Sequence, residues 1–429
     1  MNELDSEIIA GQFDKIGMTE AEDEDSADVI ILNTCSVRDS AERKVFGKLQ
    51  LLSHLKAKNP DCVVVLCGCM AEEHKDSLLK KYPQLDIVCG TNSFDALPEM
   101  IAEVFVAHSR LTRTGTDREM SPEFLNAKRT SSVKAYVSIM RGCDNYCSYC
   151  IVPYVRGPER SRPSQEIFLE ISHLAERGFK EVTLLGQNVN SYGRGLKEKT
   201  DFPTLLEKIH EIKGIERIRF VTSHPKDISD RLIRNMAELP KVCEYLHFPM
   251  QSGSDNILKK MNRGYGRADY LRIVEKLKTS VDGLALSSDF IVGFPSETDD
   301  DFEQTLSAVE QIRYDNIFMF KYSTRQGTTA AKFEDDIPTR IKEERHRRLL
   351  ETQNKISTEI YKSFIGKEVE VLVEGTSRKN PSRLTGRTRD NKIAVFTGEK
   401  ELIGKIINLR VEDSNIHTLY CSFDSKKIT

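Results

Sequence analysis

Residues 133–150 read VKAYVSIMRGCDNYCSYC, an apolar run that ends in three cysteines. Its first eight residues have the length and side chains of a buried strand. Cys143, Cys147 and Cys150 follow at the carboxyl end, spaced C-x3-C-x2-C. That end of a strand is where βα proteins collect ligands and chemistry. Outward from this stretch the strand signal recurs at 181–186, 216–221, 243–248, 284–292 and 316–321. Helical segments lie between, at 164–177, 203–213, 227–237, 267–279 and 299–312. The alternation predicts an open or partial βα barrel. Upstream, Asp28–Cys35, Cys62–Cys69 and Asp86–Cys89 are short apolar strands, and Ser40–Lys58, Ala71–Lys81 and Phe94–Val106 read as helices. That order predicts a small parallel sheet.

Residues 108–131 have no periodicity and read as a linker. Pro338 opens a charged helix that runs to about Lys362 and is rich in (i, i+4) pairs, the texture of an exposed face. From residue 363 the texture is β-branched and alternating, in KEVEVLVEG, NKIAVF, GKIINLRVE and HTLYCSF, which predicts a small all-β barrel of four or five strands. The expected fold class is α/β. It comprises an N-terminal parallel α/β domain over 1–107, the linker over 108–131, a central partial βα barrel with its trailing helix over 132–362, and an all-β barrel over 363–429.

Composition narrows the function classes. The chain has 429 residues, 39% apolar and 30% charged, which is globular composition. No apolar run approaches the ~18 residues of a spanning helix, so no membrane partner is expected. The opening MNELDSEIIA lacks the apolar core of a signal peptide, and a cytoplasmic location is expected. Ten cysteines are too sparse for a disulfide scaffold and favour metal or redox chemistry. Residues 1–30 carry ten acids and one Lys, whereas 338–429 carry 19 Lys/Arg against 13 Asp/Glu. A basic C-terminal end points weakly to a polyanionic partner.

Three thiolates within eight residues suit one soft-metal cluster. Three ligands hold three irons of a [4Fe–4S] cube and leave the fourth open to a small molecule, by the logic that separates open from closed zinc sites. A zinc ribbon needs a fourth ligand, and the next cysteine is Cys243. Cys35 and Cys69 end the first two strands and so could approach one point, or could equally be small buried hydrophobes. Cys67 lies two residues before Cys69. Cys62, Cys89, Cys243 and Cys421 sit in apolar runs and read as packing. His224 and His247 stand at strand ends, where histidine is usually structural. No general acid or base is evident.

The cysteine triplet, with Tyr149 between its last two members, resembles the radical S-adenosylmethionine superfamily. The resemblance implies a [4Fe–4S] cluster whose open iron binds the amino and carboxylate groups of S-adenosylmethionine and whose electron cleaves it to a 5′-deoxyadenosyl radical. It places Tyr149 near the adenine and Gly186 and Gln187, in Leu185-Gly186-Gln187-Asn188, near the methionine amino group. Gln251 and Gly253, with Asp289, Val292 and Gly293 in the stretch from Asp289 to Pro295, resemble the ribose and adenine contacts. A glycine at a strand end is more often only a turn residue. Here the pattern repeats at the same end of successive strands.

Residues 33–44 (NTCSVRDSAERK) and 68–72 (GCMAE) resemble the N-terminal domain of the methylthiotransferases, and the likeness extends over nearly the whole chain. It includes Arg156-Gly157 to Arg162, His247 to Ser254 and Met261 to Tyr265. It implies a second [4Fe–4S] cluster on three N-terminal cysteines, two of them Cys35 and Cys69. The family pattern begins Tyr-Gly-Cys-Gln-Met-Asn, so the expected first cysteine falls two residues before Met1, and the expected first strand is also missing. Pro158 stands where the family usually has a charge. The implied activity is radical insertion of sulfur, then methylation, at C2 of N6-isopentenyladenosine in tRNA, beside the anticodon. The second cluster would supply sulfur and a second S-adenosylmethionine the methyl group. The tail resembles the TRAM module, with Arg378, Lys379, Arg387 and Arg389 as phosphate contacts. By charge alone that segment could equally be a solvated loop. Expected partners are the tRNA and a low-potential donor such as flavodoxin or ferredoxin, with the chain a monomer. Two other readings stay open: the same chemistry on threonylcarbamoyladenosine tRNA or a ribosomal protein, and an RNA-binding protein with a structural cluster.

Overall fold

Strands covered on both faces read as unbroken apolar runs, and the first sheet is built from such runs. The computed structural model describes residues 1–36, 39–116 and 127–423. Val37, Arg38, residues 117–126 of the expected linker and residues 424–429 lie outside the described residues. The chain divides into two compact units. One comprises Met1–Thr130, Met140–Arg160 and Arg325–Thr328; the other comprises Ser131–Ile139, Ser161–Thr324 and Thr329–Thr429.

The first unit opens with α1 (Asn2–Lys15), then β1 (Val29–Thr34), α2 (Asp39–Lys58), β2 (Val63–Gly68), α3 (Cys69–His74), α4 (Asp76–Lys81), β3 (Ile87–Cys89), α5 (Leu97–Ala107) and β4 (Leu111–Arg113). The strands form one parallel sheet in sequence order. β2 is buried along its whole length, with Val63, Val65 and Cys67 in one apolar cluster and Val64 and Leu66 in another. Helix α1 has no counterpart in the sequence reading. It turns Leu4, Ile8, Ile9 and Phe13 inward. Two of its acids, Asp5 and Glu7, are buried too, and Glu7 takes Arg129 at 3.0 Å and the Thr130 hydroxyl at 2.9 Å. The single helix expected over 71–81 is broken at Lys75, which sits at φ 48°. Within the expected linker, Leu111–Arg113 pairs with β3 as an edge strand.

The chain continues through β5 (Lys134–Ser138), β6 (Met140–Arg141), α6 (Val152–Arg156), β7 (Arg160–Ser161), α7 (Ser164–Glu176), β8 (Glu181–Leu185), α8 (Phe202–His210), β9 (Arg217–Phe220), α9 (Asp230–Glu238), β10 (Tyr245–His247), α10 (Asp255–Lys260), α11 (Arg267–Ser280), β11 (Ala285–Val292), α12 (Asp299–Ile312), β12 (Asn316–Lys321) and α13 (Thr339–Lys362). In the second unit β5, β8 and β9 form one parallel sheet and β10, β11 and β12 another. An Ile218–Val242 bridge joins them, so the six strands make a barrel left open between β5 and β12. Helix α13 is less exposed than its charge suggests. It packs against β12 and α12, and Lys342, Arg345, Leu349, Gln353, Ile356, Ser357 and Tyr361 are buried along it. Five strands then close a barrel in the order β13 (Glu368–Thr376), β14 (Leu384–Thr388), β15 (Ile393–Phe396), β17 (Thr418–Ser422) and β16 (Ile406–Ser414). β14, which lies in the basic segment, is a strand the sequence reading lacked.

Candidate functional site

The cysteine loop is pinched at its base. Gly142 has φ +74°, and a Cβ there would lie 1.9 Å from the Pro158 carbonyl oxygen. The Cys143 N–H donates to the Gly157 carbonyl at 3.2 Å, and the Cys150 N–H to that of Cys147 at 2.9 Å. Cys143 and Cys147 are buried and Cys150 is half-buried. Burial pushes the Cys143 thiol up to about 11, against the opposing pull of the Asn145 backbone hydrogen bond. Such a thiol ionises only when a metal takes the place of the proton. Among the described residues, the one trio of ligating side chains whose donor atoms all lie within 4.8 Å of one another is Glu42, Glu73 and His74. The Glu42 carboxylate is already engaged by His74 at 2.9 Å and by Arg325.

The strand order sets Cys35 and Cys69 just past neighbouring strand ends. Thr34 and Gly68 are register partners, so the two cysteines follow at adjacent strand ends, where neighbouring strands are about 4.8 Å apart. Gly68 has φ +93°, and a Cβ there would meet the Thr34 carbonyl oxygen at 2.5 Å. The Thr34 hydroxyl donates to the Cys67 carbonyl at 2.6 Å and accepts from the Met70 N–H at 3.2 Å. Cys67 does not share the setting of Cys69. β2 ends at Gly68 and Cys69 begins α3, so strand alternation does not carry across. Cys67 packs with Val63, Val65 and Cys89, and Cys69 with Ile151 and Val155 of α6. Both cysteine groups therefore belong to one compact unit. Arg156 pairs at 2.7 Å with Asp5, which also takes Arg141 at 2.9 Å. Burial alone would raise the Asp5 carboxyl, but the two guanidiniums win and hold it below the usual carboxylate range.

The residues expected to bind S-adenosylmethionine on the open barrel lie at or just past the carboxyl ends of β8, β10 and β11. Gln251 is held at φ +75° by an Asp289 carbonyl 2.9 Å from its N–H. A Cβ on Gly253 would lie 2.5 Å from the Gln304 carbonyl, so α12 already explains that glycine. Gly293, at φ +68°, lies against the Lys342 stem, where a Cβ would be 2.3 Å from Cγ. Asp289 carries an interaction the sequence did not suggest, 3.4 Å from Nε2 of His247. Nδ1 of that histidine meets Ser287 at 2.9 Å, so both of its nitrogens are occupied. Val292 is fully buried and offers backbone alone. Glu297 and Arg345 also escaped notice. The Glu297 carboxylate accepts the Gly293 N–H at 2.6 Å and Arg345 at 2.8 Å, fixing the turn after β11. A polar ligand fits this end of the barrel. The Gln187 Oε1, Ser223 Oγ, His224 Nε2 and Gln251 Oε1 atoms are all buried without a hydrogen-bond partner among the described residues, and buried polar groups demand one.

In the terminal barrel, Arg389 is not a free phosphate contact. It chelates the Glu244 carboxylate at 2.6 and 2.8 Å and donates to the Pro240 and Val242 carbonyls. Arg387 holds Asn391. Arg378, Lys379 and Arg383 remain exposed.

Residues 137–309 match the Radical SAM superfamily, residues 1–90 the uncharacterized protein family UPF0004, and residues 362–422 the TRAM domain. Among solved structures the chain is similar to the radical S-adenosylmethionine methyltransferase TsrM from Kitasatospora setae, with a TM-score of 0.54 and 13% identity over 74% of this chain and 69% of that one. The fold and the cysteine triplet define a radical S-adenosylmethionine enzyme, with one [4Fe–4S] cluster implied. The tRNA-2-methylthio-N(6)-dimethylallyladenosine synthase of Clostridium botulinum (strain Loch Maree / Type A3) is 48% identical over 98% of this chain and 94% of its own length. That of Acetivibrio thermocellus is 48% identical over 96% and 86%. The chain belongs to this family of synthases.

Proposed function

We propose that this chain is a tRNA methylthiotransferase, converting N6-dimethylallyladenosine to its 2-methylthio derivative. The observation that carries the reading is the near-full-length identity with synthases of that name, joined to an intact cysteine triplet. Cys143, Cys147 and Cys150 hold the cluster that, when bound, supplies the electron for S-adenosylmethionine cleavage. Tyr149, Gly186, Gln187, Gln251, Gly253, Asp289, Val292 and Gly293 hold S-adenosylmethionine. Cys35 and Cys69 serve a second [4Fe–4S] centre that donates sulfur. The domains run over 1–107, 132–362 and 363–429, with the linker over 108–131. The partners are tRNA carrying N6-dimethylallyladenosine and a low-potential flavodoxin or ferredoxin. The enzyme works as a monomer in the cytoplasm, and none of its described helices is long and apolar enough to cross a membrane.

The test is nucleoside mass spectrometry of tRNA from a strain lacking the gene and any paralogue, complemented with variants. Wild type should restore the methylthio nucleoside. C147A should leave the dimethylallyl precursor unmodified and abolish 5′-deoxyadenosine formation by the reduced protein. C69A should keep 5′-deoxyadenosine formation and lose sulfur insertion. An unchanged nucleoside profile in the deletion strain would refute the tRNA substrate.

A further inference from the structure

His224 stands just past the carboxyl end of β9 and is 93% buried by side-chain and backbone neighbours, with 7% relative exposure. Its backbone N–H donates to Asn188 Oδ1 at 3.1 Å, beyond the end of β8. The preceding Ser223 N–H donates to the carbonyl of His247, at the end of β10. The imidazole thus sits at the mouth of the open barrel, among the strand ends that also carry Gln187 and Gln251. Nδ1 accepts the Lys226 N–H at 3.3 Å. In the neutral ring this places the proton on Nε2. The ring stays neutral because burial first, then the charges of Arg263 and Lys226, push it down to about 2. Tyr265 fixes its plane by an edge-to-face contact at 5.8 Å, and the Tyr265 hydroxyl is itself anchored on the Pro249 and Met250 carbonyls. Nε2–H is therefore a rigid, buried donor, and it has no acceptor among the described residues. A buried donor left so is costly unless a ligand completes it.

We propose that His224 Nε2–H donates a hydrogen bond to a ring nitrogen flanking C2, N1 or N3, of the target adenine, making His224 a substrate-contacting residue. The inference rests on the tRNA reading above. A neutral donor matches a neutral ring nitrogen, and β9 carries none of the residues assigned to S-adenosylmethionine. A purine drawn out of its stack can still rotate in its own plane. A single bond beside C2 stops that rotation and holds the C2 hydrogen toward the position where it is removed.

The experiment uses the anaerobically reconstituted holoenzyme with S-adenosylmethionine and three anticodon stem-loops, whose target base is N6-dimethylallyladenosine or its 1-deaza or 3-deaza analogue. Dissociation constants are read by fluorescence anisotropy for wild type, H224F and H224Q. Wild type should bind one of the two deaza RNAs about tenfold more weakly than the parent. H224F should bind parent and analogues alike, at the weakened level. H224Q, whose amide N–H reaches the same place, should recover part of the discrimination. The proposal falls if wild type binds all three RNAs equally. It falls also if H224F keeps the deaza penalty while S-adenosylmethionine binding weakens, because the donor then serves the cofactor. Should H224F fail to fold, the wild-type series and H224Q decide. If wild type binds none of the stem-loops, the tRNA reading itself fails.

Discussion

Asp5 shows how much one residue can depend on distant chain. It is fully buried, and its partners Arg141 and Arg156 lie 136 and 151 positions away in sequence. Removing one member of a buried charge group leaves the others uncompensated, so D5N should destabilise by about 3–5 kcal/mol, read as a fall in the urea midpoint. The pH dependence has a definite sign. The folded carboxyl lies below its ordinary value. Its contribution is therefore complete above the unfolded pKa and is lost as pH falls below about 4 toward the folded value. Wild type should lose stability over that window with a step that D5N lacks. An identical acid limb in both would show that the two guanidiniums do not govern it. Local sequence could not reveal this: a short acidic stretch reads as solvated, and only the fold supplies three arginines to Asp5 and Glu7.

At the scale of elements, α13 and the turn after β11 are one construction. Gly293 accommodates the Lys342 stem, while Glu297 joins the Gly293 N–H to Arg345. G293A imposes both a left-handed backbone on alanine and a clash. It should cost roughly 1–3 kcal/mol from the backbone conformation alone, with the clash in addition. Combining it with K342A should remove the clash and leave the conformational part, so the thermal midpoint of the double variant should lie above the sum of the two single losses. Simple additivity would mean that Lys342 is not what Gly293 makes room for. Elements of this kind were the most legible part of the sequence. The 299–312 helix and the 316–321 strand occupy the ranges expected, because their periodicity is strong and local. What escaped was set by non-local geometry: the break at Lys75, the edge strand β4, and β14 inside a segment read only for its charge. The cysteine spacing alone marks residues 143–150 as the candidate cluster loop. The idle nitrogen of His224 has no sequence signature, because it exists only once β8, β9 and β10 are side by side.

At the scale of the whole second unit, the β-barrel is joined to the open βα barrel through arginines. Arg217 is fully buried and donates to the Arg387 carbonyl at 2.7 Å and to the Glu370 carboxylate at 2.7 Å. Arg219 reaches the Thr388 and Arg389 carbonyls, and Arg389 returns to Glu244. Arg389, a cation that a charge count assigns to RNA, instead helps to hold the terminal barrel in place. R217A should loosen that module first, seen as faster proteolysis around 363–367 with the rest of the chain still folded. Unchanged cleavage would assign the joint to other contacts.

The unit that carries all five candidate cluster cysteines is stitched from three separated stretches, the last of them Arg325–Thr328. A ribosome releases these stretches in order, and Asp5 emerges long before either arginine that neutralises it. The buried Asp5 site therefore cannot close until Arg141 and Arg156 have left the exit tunnel as well. The unit, with the candidate cluster cysteines inside it, is completed only when its last stretch has been synthesised.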